Sequence, residues 1–89
     1  NLARCLTWLR KQGVWLLGAD GDGEQIWHAM DSSVPLALVM GSEGKGLRRL
    51  TRSLCDQLVS IPMRGAVESL NVAVATGILL FEVMRQRSE

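Results

Sequence analysis

The chain has 89 residues, a formal net charge of +1 and 47% hydrophobic residues. This length accommodates one small domain, and the nearly neutral charge excludes the global basic field that drives non-specific nucleic-acid binding. The mean hydropathy of +0.13 is high for so short a chain, which buries a smaller share of its surface than a mid-sized domain. We therefore expect some apolar faces to be covered by a partner chain or by a further part of the same protein.

Cysteine and histidine usage argues against a metal site. Cys5 and Cys55 are far apart in the chain, and His28 is the only histidine. Two such cysteines define neither a disulfide framework nor a zinc site, so we expect no metal and two buried thiols in a reducing compartment. The apolar run 72–83 is too short to span a membrane, and we expect a cytoplasmic protein without a leader or membrane contact.

The first third of the chain predicts a helix, a strand, a loop and a weak helix. Apolar residues recur at helical spacing from Leu2 to Leu9, and Gly13 follows where a left-handed residue often ends a helix. A short buried-strand pattern follows in segment 14–17, and a turn-rich loop in segment 18–23. Segment 24–30 has a weak helical pattern.

The remaining chain predicts two strands, each followed by a polar loop and a helix. The strands are segments 35–40 and 58–61, and Leu47, Leu50 and Leu54 mark one face of the helix between them. Ser69 is a predicted N-cap for the last helix. That helix is apolar nearly all round to Phe81, so we expect it to be covered on more than one side. Alternating strands and helices predict an α/β fold, a mostly parallel sheet with helices on both faces.

The glycine-rich loop 41–46 departs from the common phosphate-binding patterns. Its spacing is two residues short of the Walker pattern, and Gly46 stands where that pattern needs a hydroxyl residue. The glycines also lack the spacing of a dinucleotide fingerprint. Turn geometry alone accounts for them, whereas Glu43 inside the loop is either a solvated acid or a group that orients a substrate or a basic residue.

The loop 62–71 is the second strand-to-helix junction. Parallel strand ends and helix N-termini present unpaired backbone groups, and ligands bind at such junctions in α/β proteins. The sequence therefore predicts that the two loops close on one small molecule.

Two segments resemble the second and third motifs of the SpoU (TrmH-type) RNA 2′-O-ribose methyltransferases. They are Leu38-Val-Met-Gly-Ser-Glu-Gly-Lys-Gly46 and Ile61-Pro-Met-Arg-Gly-Ala-Val-Glu-Ser-Leu-Asn-Val72. The likeness covers nearly the whole chain, and within the family it is strongest to the type that methylates a guanosine of 23S ribosomal RNA. It implies a SPOUT-type α/β trefoil knot, in which the end of the chain is threaded through an earlier loop.

The resemblance assigns roles to six residues. It implies that S-adenosylmethionine (S-adenosyl-L-methionine) is bound by Gly41, Ile61, Met63 and Leu70, with Gly41 approaching the cofactor where a side chain would clash. It places Glu43 and Asn71 in the active site, holding the target ribose and the basic residue near its 2′-hydroxyl. Core packing would also account for Ile61 and Leu70, and Asn71 is a poor helix former, which favours a functional role.

The resemblance also implies partners and missing parts. The family acts on ribosomal RNA as homodimers. Its first motif, which carries an asparagine and the arginine assigned as the activating group, is expected upstream of Asn1, as is an N-terminal RNA-binding domain. Residues 1–89 are thus predicted to be the C-terminal portion of a SpoU-type methyltransferase domain, inactive when isolated.

Two other interpretations of the sequence stay open. One is a non-catalytic module that binds RNA or a protein, and the other is a metabolic or nucleotide-binding α/β domain without a knot. The basic residues Arg48, Arg49 and Arg52, with Arg64 in the second loop, either contact RNA phosphates or form a solvated surface.

Overall fold

A computed structural model describes residues 1–41, 46–63 and 71–88. These residues form three helices, four strands and a short 3-10 helix at Trp27–Ala29. In chain order the elements are α1 (Leu2–Lys11), β1 (Trp15–Ala19), β2 (Gln25–Ile26), β3 (Leu36–Met40), α2 (Arg49–Leu54), β4 (Gln57–Ser60) and α3 (Val72–Arg87).

The four strands form one sheet in the order β2-β4-β1-β3, and every pairing is parallel. Strand β1 is central, with Ala19 opposite Met40 of β3 on one side and Val59 of β4 on the other. The carboxyl ends of these three strands therefore lie at the same edge of the sheet.

Helices cover both faces of the sheet, as predicted. Leu16 and Leu17 are consecutive residues of β1 and are both fully buried, because side chains alternate between the two faces of a strand. Leu16 packs in a cluster with residues of α1 and α2, whereas Leu17 packs with Leu79 of α3. The predicted α/β class is confirmed, while the knot stays a prediction.

Helix α1 begins and ends where the sequence predicts. The Asn1 side chain accepts a hydrogen bond from the Arg4 amide at 3.2 Å, and Gly13 follows the helix with a φ of 85°. Cys5 is exposed, so the prediction that both thiols are buried is wrong for this residue. Cys55 is half-buried, and this burial is the main cause that raises the pKa of its thiol.

The weak helix predicted for segment 24–30 is wrong. Gln25 and Ile26 instead pair with Val59 and Ser60 of β4, and only the 3-10 turn after them is helical. Pairing with an existing sheet edge outweighs a weak helical period in a segment this short.

Helix α3 begins later than predicted. Its first residue is Val72 and its N-cap is Asn71, so the prediction of Ser69 as N-cap is wrong; Ser69 itself lies outside the described residues. The helix buries Ala75 and Leu79 against the sheet. Its other side exposes four large apolar side chains: Val74, Leu80, Phe81 and Met84.

Polar contacts fix the last turns of α3 to the segment before β3. The Gln86 side-chain oxygen accepts from the amide and hydroxyl of Ser32, at 3.2 and 2.6 Å, and its Nε2 donates to the Met30 carbonyl at 3.0 Å. The Arg87 guanidinium donates to the carbonyls of Ser32 and Val34 at 2.9 and 2.8 Å. We call the contacts of Gln86 and Arg87 with residues 30–34 the C-terminal clamp.

A buried carboxylate continues the C-terminal clamp along α3. Glu82 is 5% exposed and accepts hydrogen bonds from Arg85 at 2.8 and 2.9 Å and from Gln86 at 2.7 Å. These bonds, chiefly those from Arg85, lower the pKa of Glu82 to about 2. The carboxylate orients the Gln86 amide that reaches residues 30–34.

Candidate functional site

The candidate site lies at the carboxyl edge of the sheet. Both β3 and β4 flank β1, so Gly41 and Ile61, which follow them, are separated by about two strand spacings, or about 10 Å. The two loops of the predicted ligand site therefore start on the same edge. This position is the one at which parallel α/β sheets bind ligands.

Only glycine fits at position 41, because the backbone of Gly46 lies directly against it. A Cβ atom added there would fall on the backbone carbonyl of Gly46. Gly46 has a φ of 67°, in the left-handed region that favours glycine. The neighbour that excludes a side chain at Gly41 is thus Gly46, as the turn-geometry interpretation expects, and the contact of Gly41 with the cofactor stays a prediction.

Ile61 and Met63 lie directly after β4, and both are half-buried. Ile61 packs against the core cluster that contains Val59 and Leu79. The interpretation of Ile61 as a core residue is therefore confirmed, and its contact with the cofactor stays a prediction.

Asn71 is the N-cap of α3. Its Oδ1 accepts a hydrogen bond from the Ala73 amide at 2.8 Å, and the residue is exposed. Its side-chain NH2 group makes no hydrogen bond to a described residue. Since capping explains an asparagine here, the argument from poor helix propensity no longer favours a functional role.

The other predicted site residues lie outside the described residues. They are Glu43 and Leu70, together with the loop residue Arg64. The structure thus brings Gly41, Ile61 and Met63 to one edge of the sheet and places Asn71 at the start of α3.

Sequence reasoning missed Asp20, which follows β1 at the centre of this edge. Its carboxylate accepts hydrogen bonds from the amides of Leu47, at 3.1 Å, and Asp22, at 2.9 Å. Its own amide donates to the Val59 carbonyl at 3.0 Å. An aspartate between a strand and two glycines reads as an ordinary turn residue, and only the pairing of distant strands reveals its contact with Leu47.

Three arginines lie beside the exit of the glycine-rich loop. Arg48 precedes α2 and is exposed, Arg49 is its first residue and is exposed, and Arg52 is half-buried. Within the described ranges, none of the three forms an ion pair. Two cations at a helix N-terminus oppose the helix dipole, so helix stability does not explain them.

Residues 1–41, 46–63 and 71–88 contain no group of three or more His, Cys, Asp or Glu that could hold a metal ion. No helix among them has the length and apolar character needed to cross a membrane.

Comparison with known proteins places this geometry in context. A sequence model described as the SpoU rRNA Methylase family matches residues 1–81. The 23S rRNA (guanosine-2′-O-)-methyltransferase RlmB of Ralstonia nicotianae is 59% identical over 88 residues, which are 99% of this chain and 35% of that protein. The chain thus spans about a third of the length of the curated relatives it matches.

Solved structures give the same result for the fold. The SpoU methyltransferase AviRb of Streptomyces viridochromogenes, in complex with the cofactor AdoMet, matches with a TM-score of 0.86 and 35% identity over 98% of this chain and 36% of that one. The A. aeolicus TrmH/SpoU tRNA modifying enzyme matches with a TM-score of 0.89 and 34% identity, over 99% of this chain and 45% of that one.

Proposed function

Because its residues 1–81 match the family model, this chain belongs to the SpoU rRNA methylase family, and we propose that the protein containing it is an RNA methyltransferase. It transfers a methyl group from S-adenosylmethionine to the ribose 2′-hydroxyl of a guanosine in 23S ribosomal RNA. The observation that carries this proposal is the shared sheet edge of the two motif loops, in a chain 59% identical to a relative named for that reaction.

The residues at the sheet edge fit a nucleoside-bearing cofactor. Ile61 and Met63 offer half-buried apolar surface, and the glycines at 41 and 46 bring backbone close to the strand ends. We assign cofactor binding to Gly41, Ile61, Met63 and Leu70. S-adenosylmethionine, when bound, supplies an electrophilic methyl group, and the role of these residues is to orient it and exclude water.

Asn71 and Glu43 are assigned to the RNA side of the reaction. The Asn71 Oδ1 caps α3, which leaves its NH2 group able to donate to the target ribose. A neutral hydroxyl is a poor nucleophile, so a general base is also required. We assign that base to the arginine of the family's first motif, in a segment outside these 89 residues.

The surface of the chain supports its assignment as the C-terminal portion of a larger domain. Leu2, Trp8 and Trp15 are 58%, 59% and 47% exposed. Single exposed apolar residues are ordinary, but three large ones in so short a chain support a surface that another part of the protein covers. Coverage of only 35% of the Ralstonia relative supports a larger protein around this chain, whereas the C-terminal position within it is part of the proposal.

The second exposed apolar face, formed by Val74, Leu80, Phe81 and Met84 of α3, is assigned to a homodimer contact. Phe81→Glu should convert the full-length dimer to monomers in light-scattering measurements, because burying an unpaired charge opposes association. Glu24→Gln, at an exposed site on another surface, should leave the dimer intact.

RNA contacts are assigned to Arg48, Arg49 and Arg52, which stand beside the loop exit without ion pairs to the described residues. Phosphate contacts of this kind position RNA without reading its sequence. A cytoplasmic location is part of the same proposal, and it is supported by relatives named for action on ribosomal RNA.

Incubation of the full-length protein with tritiated S-adenosylmethionine and 23S ribosomal RNA tests the function. Nucleoside mass spectrometry should find 2′-O-methylguanosine as the product. Absence of methyl transfer, with retained RNA binding, would instead support the non-catalytic RNA-binding module, and a methyl group on a base would exclude ribose chemistry.

A further inference from the structure

We propose that Asp20 is a positioning residue of the cofactor site, which fixes the exit of the glycine-rich loop to the carboxyl end of the sheet. The inference rests on the proposed function, since it concerns the loop assigned to S-adenosylmethionine. Asp20 lies outside both motifs, and it acts through the backbone of the loop.

The backbone of Asp20 is held on both sides. Its amide donates to the Val59 carbonyl of β4 at 3.0 Å, and its carbonyl accepts from the Gly23 amide at 2.9 Å. A side chain on a backbone fixed in this way, directly after the central strand, has little freedom to move away from the strand ends.

The side chain of Asp20 binds the loop exit. Oδ2 accepts from the amide of Leu47, which is 27 positions further along the chain, at 3.1 Å. The same oxygen would lie 3.0 Å from a Cβ built on Gly46, so the carboxylate also packs against the last glycine of the loop. Hydrogen bonds to a charged acceptor are stronger than those between neutral groups.

The loop exit is in direct contact with Gly41. A Cβ built on Gly41 would overlap the Gly46 carbonyl, so the two glycine backbones are in close contact. Movement of Gly46 away from the sheet therefore changes the surroundings of the residue that follows β3. Asp20 thus connects β1, β4 and both described ends of the glycine-rich loop.

The carboxylate uses both of its oxygens, and this makes a conservative test possible. Oδ1 accepts from the Asp22 amide at 2.9 Å while Oδ2 accepts from Leu47. Asparagine has the same shape but one oxygen only, so Asp20→Asn turns an NH2 group toward one of two amide donors. Asp22→Asn is the matched control. It removes a carboxylate from the same turn, and the Asp22 side chain makes no hydrogen bond or ion pair with the described residues.

The test measures S-adenosylmethionine affinity of the full-length variants by calorimetry, with hydrogen exchange of the peptide that contains Leu47. Asp20→Asn should raise the Kd by about tenfold, the effect of losing one hydrogen bond to a charged group, and should speed exchange at Leu47. Asp22→Asn should match the wild type in both. If Asp20→Asn does not fold, Asp20→Glu serves, with its carboxylate displaced by one methylene.

A structural variant separates positioning from general loss of stability. Gln86→Ala removes contacts of the C-terminal clamp and should lower the midpoint of thermal unfolding without changing the Kd. An unchanged Kd in Asp20→Asn overturns the inference while the proposed function stands. An equal rise in Gln86→Ala also overturns it, because any destabilised variant would then bind weakly, and failure of the wild type to bind overturns the proposed function itself.

Discussion

The two ends of α3 are held in different ways. At its C-terminal end, Gln86 and Arg87 make five hydrogen bonds to residues 30–34, and Ser32, their main partner, is 1% exposed. At its N-terminal end, the described side-chain hydrogen bonds stay within α3 and its cap: the Ala73 amide donates to Asn71 Oδ1, and the Thr76 hydroxyl donates to the Val72 carbonyl. Among the described residues, the polar contacts that fix α3 to the rest of the chain therefore lie at its C-terminal end, away from the sheet edge at which the motif loops start.

This difference indicates a separation of roles within a small chain. The C-terminal clamp is far from the carboxyl ends of β1, β3 and β4, so its residues are expected to affect stability alone. Residues at the sheet edge are expected to affect ligand binding or reaction more than stability. Four substitutions test this separation, in order of expected effect.

Gln86→Ala should destabilise the protein by about 3 kcal/mol, because the buried amide and hydroxyl of Ser32 and the Met30 carbonyl lose their partner. Urea unfolding measures this change. Gln12→Ala is the control, since Gln12 is exposed and its side chain makes no hydrogen bond to described residues; it should change stability by about 0.5 kcal/mol or less. Equal effects of the two substitutions would show that the C-terminal clamp does not stabilise the fold.

Asn71→Ala should lower the rate of methyl transfer by about 100-fold, since the donor that we propose for the reacting ribose is lost. It should also destabilise α3 by about 1 kcal/mol through loss of the cap. Asn71→Ser separates the two effects, because serine caps about as well but lacks the amide. If the serine variant retains full activity in a tritiated-methyl assay, Asn71 is a cap and nothing more.

Gly41→Ala should weaken S-adenosylmethionine binding by about 30-fold, or about 2 kcal/mol, because its methyl group forces the Gly46 carbonyl away. The matched control is Gly21→Ala, where an added Cβ meets no atom within 4 Å. Calorimetric titration compares the two. Similar affinities would show that the loop tolerates a side chain at position 41.

Glu82 should make stability depend on pH in the acid range. Its pKa is about 2 in the folded protein, against an ordinary value of 4.5, so its carboxylate stabilises the fold fully above about pH 4.5. That contribution is lost as the pH falls toward 2. Glu82→Gln should therefore be less stable than the wild type in urea unfolding at pH 7, with a difference that shrinks on acidification; a difference that stays constant down to pH 2 would contradict this role of Glu82.

The sequence predicted the main elements of the fold because their patterns are local. The apolar segments of β1, β3 and β4 and the period of α1 need only neighbouring residues to be recognised. Strand β2 was missed because Gln25 and Ile26 form a strand only by pairing with β4. Gly18 was assigned to a loop, yet it belongs to β1, where a side chain would collide with Cys55, Leu47 and Leu58.

The sequence predicted part of the candidate site. At Gly41 and Asn71, however, the structure supplies a reason for the residue that does not involve a ligand. The two loops do start on one sheet edge, as their motifs predict. Gly41 is required by contact with Gly46, and Asn71 by helix capping, so neither identity needs a ligand to explain it. Asp20 escaped prediction because its partner, Leu47, is distant in the chain, and such contacts have no local pattern.

A crystal structure of the full-length protein with S-adenosylmethionine tests the central claim most directly. The account predicts that the cofactor lies between the turn after Met40 and the turn after Ile61, with its adenosine within about 4 Å of Ile61 and Met63. A cofactor bound elsewhere, for example beside the C-terminal clamp, would contradict it.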